Sequence, residues 1–105
     1  HGVEQNIDTA LEWYTKSAEK GHASAQNNVG GVHRKKGQHE EAFKWFMKAA
    51  NQGDIYAEYN LGICYENGNG VKRNVPEAVK WFTKAAEKGH PRAAENARRL
   101  IDAMA

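Results

Sequence analysis

Ser17-Ala18-Glu19-Lys20 spells Ser-x-x-Lys, the spacing that lets a lysine assist a serine nucleophile in acyl transfer by penicillin-binding enzymes. That chemistry needs companions the chain lacks. Neither Ser-Asp-Asn nor Lys-Thr-Gly occurs, and Ser24 is the only other serine. The five histidines, His1, His22, His33, His39 and His90, form no His-x-x-x-His pair and have no cysteine cluster beside them, so no zinc site is expected. Cys64 is the single cysteine, which excludes a disulfide within the chain, and its helical spacing directs it into a core as an inert thiol. Glu40 and Glu41 are adjacent carboxylates, but they fall in the first turn of a helix, where negative charge complements the dipole. No catalytic, cofactor or metal site is expected, and no small-molecule substrate.

The elements that carry these residues are repeated. Trp81-Phe82-Thr83-Lys84-Ala85-Ala86-Glu87-Lys88-Gly89-His90 is echoed by Trp45-Phe46-Met47-Lys48-Ala49-Ala50-Asn51-Gln52-Gly53-Asp54 and by Trp13-Tyr14-Thr15-Lys16-Ser17-Ala18-Glu19-Lys20-Gly21-His22. Such a period means stacked repeats. In each copy, large and small apolar residues recur at i, i+3, i+4, i+7 and i+8 from Ala10, Ala42 and Ala78, one face of an amphipathic helix. Ser17 holds the small-residue position of Ala49 and Ala85. Trp13, Trp45 and Trp81 are expected in the core, so Trp45→Ala should unfold most of the chain. Asn6 and Asn74 are expected as N-caps, and Gly21, Gly53 and Gly89 as left-handed C-terminal caps.

A different helix follows each of those glycines, over residues 23–36, 55–67 and 91–104, with Asp54 as a cap and Pro91 at a first helical position. Ala57, Leu61, Cys64 and Tyr65 share one face of the middle copy. Gly30 and Gly62 sit mid-helix, which implies close approach of the partner helix at Ala42 or Ala78. Arg98 replaces that glycine in the last copy, so 91–105 is expected to be a polar cap.

Composition narrows the function classes. The chain has 105 residues, a net charge of +2 and evenly spread lysines, which suit neither a nucleic-acid nor a membrane surface. No apolar run reaches the ~18–20 residues of a membrane span. The chain opens at His1, partway through a repeat, and is expected to be a piece of a longer protein, its compartment left open.

The pattern Ala57-x-x-x-Leu61-Gly62-x-x-Tyr65, Gly68-x-Gly70-Val71-x-x-Asn74, then Ala78-x-x-Trp81-Phe82-x-x-Ala85-Ala86-x-x-Gly89-His90 resembles the Sel-1-like repeat, a relative of the tetratricopeptide repeat. The resemblance implies an all-α, right-handed α/α superhelix (solenoid) of antiparallel helix pairs, about six helices in a single domain over 1–105. Its parts would be a half repeat at 2–22, a short tetratricopeptide-like repeat at 23–54, a full repeat at 55–90 and a capping helix at 91–105. It also implies a non-enzymatic scaffold that presents a concave groove to a peptide or partner protein.

If the first helices line that groove, its wall carries Asn27, Arg34 and Lys35, then Tyr56, Tyr59, Ile63 and Glu66, then Arg92, Glu95 and Arg99. Aromatic and aliphatic groups flanked by basic ones suit an extended peptide of acidic character. Two alternatives stay open at Tyr56 and Tyr59: a guest, or packing against the next repeat. Asn28, Asn60 and Asn96 recur and are expected to be structural. The rivals are a β-lactam hydrolase centred on Ser17, as the link of some cysteine-rich relatives to β-lactams suggests, and a spacer. Loss of a neighbour at Trp13 and Tyr14 also leaves room for self-association.

Overall fold

In the computed structural model, which describes residues 2–105 and side chains from Ala10 onward, six helices follow one another with no strand among the described residues. They are α1 (Gly2–Glu19), α2 (Ala23–Lys35), α3 (His39–Asn51), α4 (Ile55–Asn67), α5 (Val75–Glu87) and α6 (Ala93–Met104). Each packs on the next in chain order, giving an elongated right-handed solenoid of 47 × 24 × 21 Å.

Local chemistry sets the helix ends. Asp54 accepts the Ala57 N–H at 2.9 Å, and Asn74 accepts the Glu77 N–H at 3.1 Å. Gly21, Gly53 and Gly89 have φ of 94°, 88° and 95°. After α5, the N–H of Gly89 reaches Ala86 O and that of His90 reaches Ala85 O, so the chain turns with its last carbonyls satisfied. The turns after α1 and α3 repeat these bonds.

Two boundary expectations are corrected. Asn6 does not cap a helix, because α1 already runs from Gly2. Its equivalent Asn74 follows a glycine turn and precedes Pro76, whereas residues 2–9 contain no proline to hold the chain out of the helix. Pro91 lies in the turn before α6 rather than at its first position.

The larger correction concerns the tryptophans. Trp81 is buried at 7% exposure, but Trp45 is only partly buried and Trp13 is 72% exposed. The residue that fills each hairpin is the next one along: Phe46 and Phe82 are fully buried. Each ring lies on a mid-helix glycine of the preceding helix. A Cβ on Gly30 would stand 2.6 Å from Phe46 Cδ1, and one on Gly62 would stand 2.5 Å from Phe82 Cε1. The close approach inferred for these glycines is real, but aromatic rings make it. Ala42 contributes its carbonyl 3.2 Å from the Gly30 position.

The tryptophans reach backward instead. Trp81 joins Ala42, Phe46, Ala49, Leu61 and Cys64 of α3 and α4, and Trp45 packs against Ala18, Ala25 and Val29 of α1 and α2. Phenylalanine closes the hairpin, while tryptophan joins it to the unit before. Trp45→Ala therefore removes a partly exposed ring, under the Lys48 ammonium at 4.4 Å, and not the centre of the core.

A polar pin repeats alongside. Gln52 donates to Gln26 at 2.8 Å and Gln26 to the carbonyl of Ala18 at 3.3 Å. One repeat later, Lys88 donates to buried Glu58 at 2.6 Å and to the carbonyl of Gly53 at 3.0 Å. Both pins tie a repeat to the end of the second helix before it.

Candidate functional site

The first helices α2, α4 and α6 carry nine of the ten residues assigned to the wall, and Arg92 stands in the turn before α6. Helical spacing along α4 brings Tyr56, Tyr59, Ile63 and Glu66 to one side. Tyr59 is half-buried, its ring 5.5 Å from Phe82 and stacked on His90 at 4.1 Å with an interplanar angle of 11°. Its hydroxyl accepts from Asn96 Nδ2 at 3.2 Å. Tyr59 is thus a packing residue between units. Tyr56 meets only the edge of His90, at 5.9 Å, and remains 60% exposed.

His90 was legible only as a residue after a capping glycine, yet it is the platform of this cluster. The turn after α5 fixes its backbone, and its Nδ1 accepts the Arg92 N–H at 3.2 Å, which leaves the ring proton on Nε2. Burial, aided by the Arg92 charge, holds its pKa below the usual value. The neutral ring is the favoured form in the fold, so the unfolded chain binds the proton more readily. Stability contributed by this group is present above the ordinary histidine pKa near ~6.5 and is lost as pH falls through the lower folded value. An NMR titration should place the His90 midpoint below the ordinary histidine value, and a midpoint above that value would contradict the stacked geometry.

Other wall residues are tied between first helices. Arg34 donates to Asn60 Oδ1 at 3.1 Å, and Asn60 donates to Asn27 Oδ1 at 2.9 Å. Arg34 also lies 5.3 Å from the Phe46 ring centroid. Arg99 pairs with Glu66 at 2.8 Å. Ile63 packs against the α5–α6 core. Asn60 and Asn96 hold hydrogen bonds between helices, while Asn28 is exposed. Lys35, Tyr56, Arg92 and Glu95 are left facing solvent, and none of the side-chain hydrogen bonds or ion pairs among the described residues engages Lys35, Glu95 or the Arg92 guanidinium. Beside them a shallow depression of about 300 Å³ is lined by Asn27, Arg34, Lys35, Asn60 and Tyr14.

The other chemistry-bearing residues are placed differently. Ser17 is partly buried near the end of α1, its carbonyl taken by the turn that follows, and no hydrogen bond among the described residues joins its hydroxyl to Lys20. Cys64 is buried against α3 and α5, and burial pushes its thiol up to about 11, far from a thiolate nucleophile at neutral pH. Among the described residues no three His, Cys, Asp or Glu side chains group as a metal site, and no helix is long and apolar enough to cross a membrane.

The sequence pattern of the Sel1 repeat matches residues 1–22, 23–54 and 55–90. The chain belongs to the Sel1-repeat family. Sel1 repeats are in general protein-interaction modules, typically non-enzymatic. The chain is similar to c5321, a protective antigen of uropathogenic Escherichia coli displaying an SLR fold, at 40% identity and a TM-score of 0.84, over 89% of this chain and 21% of that one. It is also similar to a Sel1 repeat protein from Oxalobacter formigenes, at 32% identity and a TM-score of 0.75, over 93% of this chain and 44% of that one. The chain thus spans less than half the length of either. No curated protein matches it.

Proposed function

We propose that this Sel1-repeat chain is a non-enzymatic scaffold that holds an extended peptide of acidic character along α2, α4 and α6. The observation that carries this reading is Tyr56, an aromatic ring 60% exposed at the edge of His90, beside the Tyr59–His90 stack. Large rings held in place at the centre of a surface are where binding energy concentrates. Free cationic groups lie on both sides: Lys35 on α2, and Arg92 before α6. Glu95 carries the opposite sign, so attraction is local rather than a field over the whole face.

The test is a titration with a fluorescent extended peptide alternating glutamate with apolar residues, against its lysine counterpart. The acidic peptide should bind more tightly, and Tyr56→Ala should weaken it about tenfold or more while leaving the melting temperature nearly unchanged. Equal binding of both peptides, or no effect of the substitution, would contradict the reading. Catalysis at Ser17 is the rival. Hydrolysis of a chromogenic β-lactam by the parent chain, lost in Ser17→Ala, would favour it instead.

A second reading has its own observation. Trp13 is 72% exposed at one end of the stack, which favours self-association there.

A further inference from the structure

Two buried side-chain atoms among the described residues have no hydrogen-bond partner, Glu58 Oε1 and Trp81 Nε1. Glu58 is only 3% exposed, and its other oxygen already holds the Lys88 ammonium. An orphaned oxygen on a buried carboxylate is costly, and its surroundings show what it lacks.

The repeat supplies the comparison. Glu58 stands 32 residues after Gln26 and Ala50 32 after Ala18, while Lys88 stands 36 after Gln52. In the earlier unit the Ala18 carbonyl accepts the Gly21 N–H at 2.9 Å and Gln26 Nε2 at 3.3 Å, and Gln26 Oε1 accepts from Gln52. The Gln26 amide thus meets one acceptor and one donor. In the later unit the Ala50 carbonyl accepts the Gly53 N–H at 2.8 Å, and Glu58 Oε2 accepts from Lys88. A carboxylate has no N–H to give, so the counterpart of the Gln26–Ala18 bond is not made. Glu58 and Ala50 both present acceptors where the earlier pin has a donor and an acceptor.

These two residues line one depression of about 340 Å³, with Gly53, Lys84 and Lys88 around it. Lys84 and Lys88 are exposed, and Lys84 holds its ammonium 4.6 Å from the Trp81 ring centroid. Their charges select the donor that fits. Lys88 balances Glu58, and Lys84 would repel a further cation. An anion would meet the free Glu58 oxygen. A neutral group with two N–H donors satisfies Glu58 Oε1 and the Ala50 carbonyl together, and a carbonyl oxygen on the same group can accept from Lys84. A primary carboxamide has all three.

We propose that this depression, where α3, α4 and α5 meet, takes the primary carboxamide of a glutamine side chain from a partner. Its nitrogen sits where Gln26 Nε2 sits in the unit before. Glutamine is the longer of the two amide side chains, and the oxygen it must reach is buried beneath two lysines. None of the wall residues around Tyr56 lines this depression, so the proposal does not rest on the acidic-peptide reading.

NMR with acetyl-glutamine methylamide as the probe tests this, against acetyl-glutamate methylamide of the same size. The Trp81 indole N–H and Gly53 amide resonances should shift saturably with the first and not with the second. Glu58→Gln combined with Lys88→Gln copies the earlier pin, so its own amide supplies the missing donor. That variant should lose the response to the glutamine probe and melt no lower than the parent chain. Free acetamide should shift the same resonances less than the glutamine probe does. An equal or larger shift would mean that the site takes a free amide and would overturn the partner side chain. Equal shifts from the glutamine and glutamate probes, or a response kept in the double variant, would overturn the site. So would a parent chain that answers to no probe, since the Glu58 oxygen would then be served by solvent.

Discussion

Phe82→Ala should lower the unfolding free energy by about 3–5 kcal/mol, whereas Trp13→Ala should change it by less than about 0.5 kcal/mol. The contrast runs against the size of the two side chains. It follows from where they go: Phe82 is fully buried over Gly62, and Trp13 stands mostly in solvent. A domain is worth only ~5–15 kcal/mol in total, so loss of Phe82 should leave the chain marginal. Urea titrations of both variants check this. Gly62 supplies a control. Gly62→Ala alone should destabilise the chain, because its new methyl meets the Phe82 ring at 2.5 Å. In the Phe82→Ala background the clash is gone, and alanine should recover part of the ~1 kcal/mol by which glycine disfavours a helix. The two substitutions should therefore be strongly non-additive.

Gly70→Ala is the second large effect. Gly70 has φ of +74° and lies against the start of α3, where a Cβ would run into the carbonyl of His39. Left-handed backbone costs a non-glycine residue about 1–2 kcal/mol, and overpacking against fixed atoms about 1–3 kcal/mol more. Gly37 separates the two contributions, since its φ is +77° but a Cβ there meets nothing within 4 Å. Thermal melts should show Gly37→Ala losing only the backbone part and Gly70→Ala losing both. Equal losses would mean that the 68–74 loop is not seated on α3.

Much of this architecture was written in the spacing of small residues. Alanines every three or four positions fixed the apolar faces, and the glycines after each tryptophan helix fixed the turns, because only glycine adopts that backbone cheaply. The roles of neighbouring aromatics were harder to separate. Trp81 and Phe82 are adjacent on one helix, and both fall within its apolar arc, yet one faces the unit before and the other its own hairpin partner. The clue was Gly62 opposite Phe82, a bare patch sized for a flat ring. At the wall, sequence placed Tyr56 and Tyr59 together but could not divide them. That division depends on His90, thirty-one residues beyond Tyr59, and on Asn96, whose amide donates to the Tyr59 hydroxyl. The Arg34–Asn60–Asn27 chain was invisible for the same reason, being made across two helices in different repeats.

An acidic guest should lie on the first helices, α2, α4 and α6, rather than on the second helices. A photo-reactive benzoylphenylalanine in place of Tyr56 on α4, and separately in place of exposed Lys80 on α5, tests that with the acidic peptide as the probe. Irradiation should cross-link the peptide at position 56 and leave position 80 unlabelled. Labelling at position 80 equal to or above that at 56 would place the guest on the second helices and contradict the account.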